Sequence, residues 1–199
     1  MLPNEFLKGK KALDSSQVIA FPTETVMGLG VYFDDHDAYE LLNKIKRRPE
    51  DKPYTMMLSN KDEISEYAYV DERANKVVNA FVPGEITILL KAKDNVPGYV
   101  THNTGVIGVR VPNLANLLDF LRFIGKPLLV PSANRSGEKP ATTSEEVKNV
   151  FGNELGYIFE GTAQGGVPST LVDLTGEEVK IYREGNIKLA DILKVIKGE

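Results

Sequence analysis

Short apolar runs bounded by proline or glycine alternate along this chain with stretches of helical spacing, a pattern that predicts an α/β fold. Residues 3–16 carry Phe6, Leu7 and Leu13 on one side, with Asn4 as N-cap, and predict an amphipathic helix. Val18 to Phe21 reads as a short strand ended by Pro22. Asp35 or Asp37 caps a helix running to about Lys46, with Ala38, Leu41, Leu42 and Ile45 on its apolar face. Tyr54 to Leu58 predicts a strand, 61–69 and 71–81 two helices, and Ile86 to Leu90 a buried strand beyond the Pro83-Gly84 break. Val106 to Val111 is a further strand, Leu114 to Phe123 a helix behind Asn113, and Leu128 to Val130 a strand ended by Pro131. Thr143 to Glu146 places acids in the first turn of a helix. Strands near 157–160, 170–174 and 179–183 and a helix at 188–196 complete the chain. This order is too irregular for a βαβ repeat. The expected architecture is one twisted, mixed β-sheet flanked by helices.

Composition narrows the function more than the fold. The 199 residues are 42% hydrophobic and 26% charged, which suits one domain, 1–199, with a core of its own. A net charge of −4 argues against a protein that coats nucleic acid. No apolar run approaches the ~18 residues of a membrane helix. The opening MLPNEFLKGKKALDSS lacks the apolar stretch of a signal peptide, so the expected address is cytoplasmic. The absence of cysteine excludes thiol catalysis, zinc–cysteine sites and iron–sulfur clusters. His36 and His102 are too few for a histidine-rich metal site and are expected on the solvated surface.

Five segments place polar residues beside Pro or Gly at a strand end, where α/β proteins build sites. Phe21-Pro22-Thr23-Glu24-Thr25-Val26-Met27-Gly28-Leu29-Gly30 offers hydroxyls, a carboxylate and glycines that permit close backbone approach, or simply a capped turn. Lys44 to Pro53 gathers five basic residues. Lys46 and Arg48 either finish a helix on a solvated face or form a phosphate clamp, as surface groups facing phosphate. Arg110 sits inside an apolar strand, where it faces solvent or needs a partner. Pro131 to Thr142 presents Ser132 and Asn134 on one side of an extended turn. Val167 to Asp173 sets hydroxyls before one strand, and Arg183 lies in the next; antiparallel pairing would bring them together. Tyr67 and Tyr69 read as packing, and Met56 and Met57 as core. No P-loop, no GxSxG elbow and no hydrolytic triad is present.

In this order the segments resemble the YrdC-like family, the threonylcarbamoyl-AMP synthases of TsaC type. The matching stretches are PTETV and GLG within 22–30, IKRRP and DKP within 45–53, PGEIT at 83–87, GVRVP at 108–112, PSANRSG at 131–137, STLVD at 169–173 and YREG at 182–185. The chain looks like the family's short form, which implies an open concave site. The resemblance implies a nucleotidyltransferase that joins L-threonine, bicarbonate and ATP into threonylcarbamoyl-AMP and pyrophosphate. A separate transferase complex then uses the product on an adenosine beside the tRNA anticodon, so tRNA contact by this chain is expected to be weak or indirect. By the same resemblance, Lys46 and Arg48 neutralise the triphosphate, assisted by Lys52. Ser132 and Asn134 contact threonine and nucleotide, Thr142 reaches the nucleotide, and Arg183 meets its phosphate. Thr25, Arg110 and Ser169 hold threonine, with Arg110 on its carboxylate, and Thr23 and Glu24 shape the first loop. Mg2+ is expected to travel with ATP.

Two positions depart from the family pattern. Met27 stands where a tyrosine is more usual, and Met57 where some members carry histidine. Two other readings are weaker. A hydrogenase-maturation carbamoyltransferase would need the cysteine-rich zinc segments this chain lacks. An RNA-binding module would need an aromatic–basic stripe.

Overall fold

The structure is a computed structural model describing residues 3–47 and 53–198. Eight helices lie among the described residues: α1 Pro3–Leu13, α2 His36–Lys46, α3 Ile64–Tyr67, α4 Glu72–Phe81, α5 Gly98–Thr101, α6 Ala115–Ile124, α7 Ser144–Phe151 and α8 Leu189–Lys197. Three begin on side-chain caps. Asp35 accepts from the Ala38 amide at 3.0 Å, Asp71 from Ala74 at 2.8 Å, and Thr143 from Glu146 at 3.1 Å. Each bond satisfies an amide that the first helical turn leaves unpaired. The α1 cap is not where expected, since Asn4 lies inside the helix. Leu114, not Asn113, occupies the N-cap of α6. The helix expected over 61–69 is a 3-10 turn at Lys61–Glu63 followed by the single turn of α3.

Among the described residues nine strands form one mixed sheet: β1 Ile19–Phe21, β2 Gly28–Tyr32, β3 Thr55–Met57, β4 Ile86–Lys91, β5 Val106–Arg110, β6 Leu128–Leu129, β7 Tyr157–Ile158, β8 Thr170–Asp173 and β9 Lys180–Arg183. Their spatial order is β7-β1-β2-β6-β3-β5-β4-β8-β9. The pairs β1–β7, β3–β5 and β4–β8 are parallel, and the others antiparallel. Strand β2 was hidden by its own glycines, which disfavour strands locally. Tertiary packing requires them. A Cβ on Gly30 would stand 2.7 Å from the Phe21 ring, and one on Gly28 2.9 Å from Val130. These glycines therefore serve sheet packing, rather than only a ligand's approach.

Strand alternation divides the sheet into two unlike faces. On one face Met56, Ile86, Ile88, Ile107, Val109 and Val172 pack into a core with Leu42 and Ile45 of α2, Val77 of α4, Val147 of α7 and Ile192 of α8. On the other, Ile19, Phe21 and Leu128 are covered by Phe6 and Leu13 of α1 and Leu117 and Phe120 of α6. That cover ends near Met57 and Val130. Beyond it the same face carries Thr55 and Gly108, then Met57 and Arg110, then Thr87, Leu171 and Arg183 in successive register. The concave site occupies this uncovered half.

Helix α2 is braced to the loop after β6. The Lys46 side chain is fully buried, and its ammonium donates to the backbone oxygens of Ser132 at 2.6 Å and Asn134 at 2.8 Å. The Ser136 amide donates to the Lys46 carbonyl at 2.8 Å, and Arg135 reaches the Ile45 carbonyl. This corrects the expectation of a surface lysine. The last turn of α2 packs against the 132–136 loop, and carbonyl oxygens replace water around the charge. Arg48 and Lys52 lie outside the described residues. His102 also departs from expectation: it is half-buried, with Nε2 3.2 Å from the Tyr39 hydroxyl, whereas His36 is exposed. Tyr67 packs edge-on against Phe33, Tyr69 is exposed, and Met56 and Met57 are buried as expected.

Two stability predictions follow from these contacts. A Cβ on Gly185 would approach the Pro168 carbonyl to 2.5 Å and the Thr170 amide nitrogen to 2.9 Å, both backbone atoms. Gly185→Ala is expected to cost about 1–3 kcal/mol, measured as a lower urea midpoint. Lys46→Ala strips a charged donor from two buried carbonyls and is expected to cost about 1–3 kcal/mol. A surface lysine would give a change within about 0.5 kcal/mol.

Candidate functional site

A cavity of about 170 Å3 opens on the uncovered sheet face. Its floor comes from the strands: Thr55 and Met57 of β3, Thr87 of β4, Arg110 of β5, Leu171 of β8 and Arg183 of β9. Its rim comes from the loops: Thr23, Thr25 and Met27 after β1, Ser132 after β6, and Pro168 with Ser169 before β8. Of the residues expected to hold threonine, the structure brings Thr25, Arg110, Ser132 and Ser169 together here, joined by Arg183. Asn134 and Thr142 are not in the cavity wall.

Arg110 is the least ordinary group in the wall. It is buried, on the strand face opposite Ile107 and Val109. Its Nη2 donates to Glu24 Oε1 at 2.8 Å and to Thr25 Oγ1 at 3.0 Å. The solvent-facing alternative is therefore wrong: the loop after β1 folds over the end of β5 and supplies the carboxylate that a buried guanidinium needs. Thr25 is held in turn by Thr23, with the two hydroxyls 2.9 Å apart. Thr23 donates its own proton to the Val26 carbonyl at 2.7 Å.

The antiparallel β8–β9 pair brings Arg183 to Ser169, as the sequence suggested. Arg183 Nε donates to the Ser169 carbonyl at 2.8 Å and Nη2 to its hydroxyl at 3.2 Å. Ser169 Oγ also lies 3.0 Å from Thr87 Oγ1. Burial, and after it the positive charge of Arg110, holds the Arg183 pKa below the usual arginine value. The cavity wall thus carries two guanidiniums, and the carboxylate of Glu24 stands behind one of them. The wall's unfilled preference is for an anion.

The loop after β6 forms the opposite rim. Ser132 Oγ donates to Asn134 Oδ1 at 2.6 Å. Asn134 Nδ2 donates to the carbonyls of Arg135 and Glu138 at 2.8 and 2.9 Å. Asn134 thus ties the loop together, while the backbone oxygens of Ser132 and Asn134 hold Lys46 from behind. Thr142 donates through its amide and hydroxyl to Glu146 Oε2, at 2.6 and 3.1 Å, near the start of α7. Those bonds hold the Glu146 carboxyl below its usual range.

Sequence reasoning gave no role to Thr87 or Tyr54, yet both line the cavity. Thr87 had a signal, a hydroxyl within the apolar run Ile86 to Leu90. Tyr54 is fixed by its hydroxyl bond to Asn43 at 2.7 Å and by edge contact with Tyr39. Met27 and Met57 are both fully buried wall residues, so the two departures from the family pattern meet in one cavity. Among the described residues no group of three His, Cys, Asp or Glu side chains could hold a metal ion. No helix among them is long and apolar enough to cross a membrane.

Several known proteins resemble this chain in sequence and fold. A Photorhabdus laumondii protein named threonylcarbamoyl-AMP synthase is 34% identical over 178 residues, covering 87% of this chain and 93% of the relative. The crystal structure of Pyrococcus abyssi Sua5 complexed with L-threonine superposes with a TM-score of 0.93 at 29% identity, over 98% of this chain. The present chain spans only 58% of that longer protein. Escherichia coli YciO, an uncharacterized protein, superposes with a TM-score of 0.88 at 27% identity, over 95% of this chain and 93% of YciO. The Sua5, YciO and YrdC family model, described as telomere recombination, matches residues 11–185. That match runs from within α1 to just past β9, and the chain belongs to the Sua5/YciO/YrdC family.

Proposed function

We propose that this protein is a threonylcarbamoyl-AMP synthase, forming threonylcarbamoyl-AMP and pyrophosphate from L-threonine, bicarbonate and ATP. The observation that carries this reading is a small cavity with a buried, carboxylate-backed arginine in its wall. At about 170 Å3 the cavity is on the scale of an amino acid. It is well short of the roughly 300–1,000 Å3 of pockets that enclose larger ligands. The nucleotide then lies across the mouth, between Arg183 and the loop after β6.

Arg110 takes the threonine carboxylate, and Thr25, Ser132 and Ser169 border the same molecule. The threonine amine combines with bicarbonate, releasing water, to give a carbamate. A carbamate oxygen attacks the α-phosphorus of ATP in line, and the phosphoanhydride bond to pyrophosphate breaks. Such a step asks little covalent help of a protein. Positioning and charge neutralisation dominate. Arg183 neutralises nucleotide phosphate, while Lys46, Arg48 and Lys52 serve the triphosphate. Asn134 and Thr142 border the nucleotide when it is bound. The Ser132 and Asn134 carbonyls hold the Lys46 ammonium, so the shape of that loop sets where its charge lies against ATP. Mg2+ arrives on the phosphates, with ATP oxygens and water as most of its ligands. The product passes to a transferase complex acting on tRNA.

Purified protein given ATP, bicarbonate and Mg2+ is expected to release pyrophosphate only when L-threonine is added, with threonylcarbamoyl-AMP identified by mass. Release without threonine, or none with it, would overturn the reading. Arg110→Ala is expected to weaken L-threonine at least tenfold and ATP less than threefold, measured by calorimetry. Equal losses for both ligands would remove Arg110 from the carboxylate.

A further inference from the structure

The proposed reaction gives Glu24 no contact with substrate, yet its side chain is as buried as the arginine it meets, at 7% and 9% exposure. Glu24 is absent from the wall of the substrate cavity. It borders a second cavity on the far side, with Glu85, Asn113 and Gln164. The Glu24–Arg110 pair is thus a partition, with the cation on the substrate side and the anion behind it.

The bonding of the pair is asymmetric. Arg110 Nη2 gives its two hydrogens to Glu24 Oε1 and Thr25 Oγ1. Glu24 Oε1 also accepts the Asn113 amide at 3.2 Å, three residues beyond Arg110 in the chain. One carboxylate oxygen therefore ties the loop after β1 to the end of β5. Glu24 Oε2 and Arg110 Nε are buried without hydrogen-bond partners among the described residues. A pair built for stability alone would satisfy both of these atoms. This one engages the guanidinium through Nη2 alone and leaves Nη1 without a hydrogen-bond partner among the described residues. Arg183, the second cation of the wall, would repel an Arg110 left uncompensated.

We propose that Glu24 is the positioning residue of the substrate site, holding Arg110 by Nη2 so that Nη1 meets the substrate carboxylate. This rests on the reading of the cavity as an amino-acid site. Glu24 acts only through Arg110. It sets where the cation points and cancels its charge when the site is empty, so that the arriving carboxylate meets an oriented donor.

The test compares the whole protein with Glu24→Gln, which keeps the shape and removes the charge. Two readouts are used: dissociation constants for L-threonine and ATP, and the NMR order parameter of the Arg110 Nε–H group. Glu24→Gln is expected to weaken L-threonine about tenfold, change ATP less than twofold, and lower the Arg110 order parameter. In an Arg110→Met background the same substitution is expected to leave threonine binding unchanged, because the effect passes through Arg110. If Glu24→Gln does not fold, Glu24→Asp, which keeps the charge and shortens the reach, is measured instead. Threonine affinity unchanged, an unchanged Arg110 order parameter, or parallel loss of both ligands would each overturn the proposal. If the unmodified protein fails to bind L-threonine, the amino-acid reading falls, and the order parameter still decides whether Glu24 holds Arg110.

Discussion

A guanidinium buried in the wall of a sheet must find a counter-charge or lose several kcal/mol to desolvation. Arg110 finds it in Glu24, 86 residues earlier in the chain. This pair fixes the loop after β1 against the end of β5, and that loop carries Thr23, Thr25 and Met27 into the cavity wall. The rim on that side is placed by this charged contact, by the hydroxyls stacked on it, and by backbone bonds that join Thr25 to Gly166 and Met27 to Ala133 and Ala141.

The opposite rim is placed by another buried cation. Lys46 ends α2 and holds the loop after β6 by two backbone carbonyls, while Ser132 of that loop turns its side chain to the cavity. Between the rims the sheet supplies a floor because its helical cover stops partway. α1 and α6 close one half of the face, and the register of β3, β5, β4, β8 and β9 lines up small and polar residues on the other. Gly108 lets β4 and β5 pack closely beside it: a Cβ there would come within 3.1 Å of Leu89 and 3.3 Å of Thr87.

The wall joins two cations and several hydroxyls to two buried thioethers, Met27 and Met57. Most of the hydroxyl protons are already committed to neighbours: Thr23 to the Val26 carbonyl, Ser132 to Asn134, and one of Thr87 and Ser169 to the other. Shape and charge, more than free hydrogen-bond donors, are what the cavity offers a ligand. Methionine, unbranched and polarizable, adapts to fill space without adding a polar demand.

Local signals decided much of this molecule. The apolar spacing of α2, α4, α6 and α8 is set by contacts within one or two turns, so it is legible in the sequence. Ser169 and Arg183 could be paired from sequence because neighbouring antiparallel strands join them. Strand β2 was not legible, since its glycines speak against a strand locally and are required only by Phe21 and Val130. The burial of Lys46 was not legible either, because a lysine at a helix end has the same local pattern whether water or a distant loop surrounds it. The gathering of Thr25, Arg110, Ser132, Ser169 and Arg183 lay beyond periodicity. Only the resemblance of ordered motifs suggested it, and the sheet's register, the Glu24–Arg110 contact and the Lys46 brace bring it about. The sequence by itself determined most of the helices and strands and which residues could bear charge into a site. Tertiary structure decided which charges are buried and what faces them, because desolvation and pairing depend on neighbours far away in the chain.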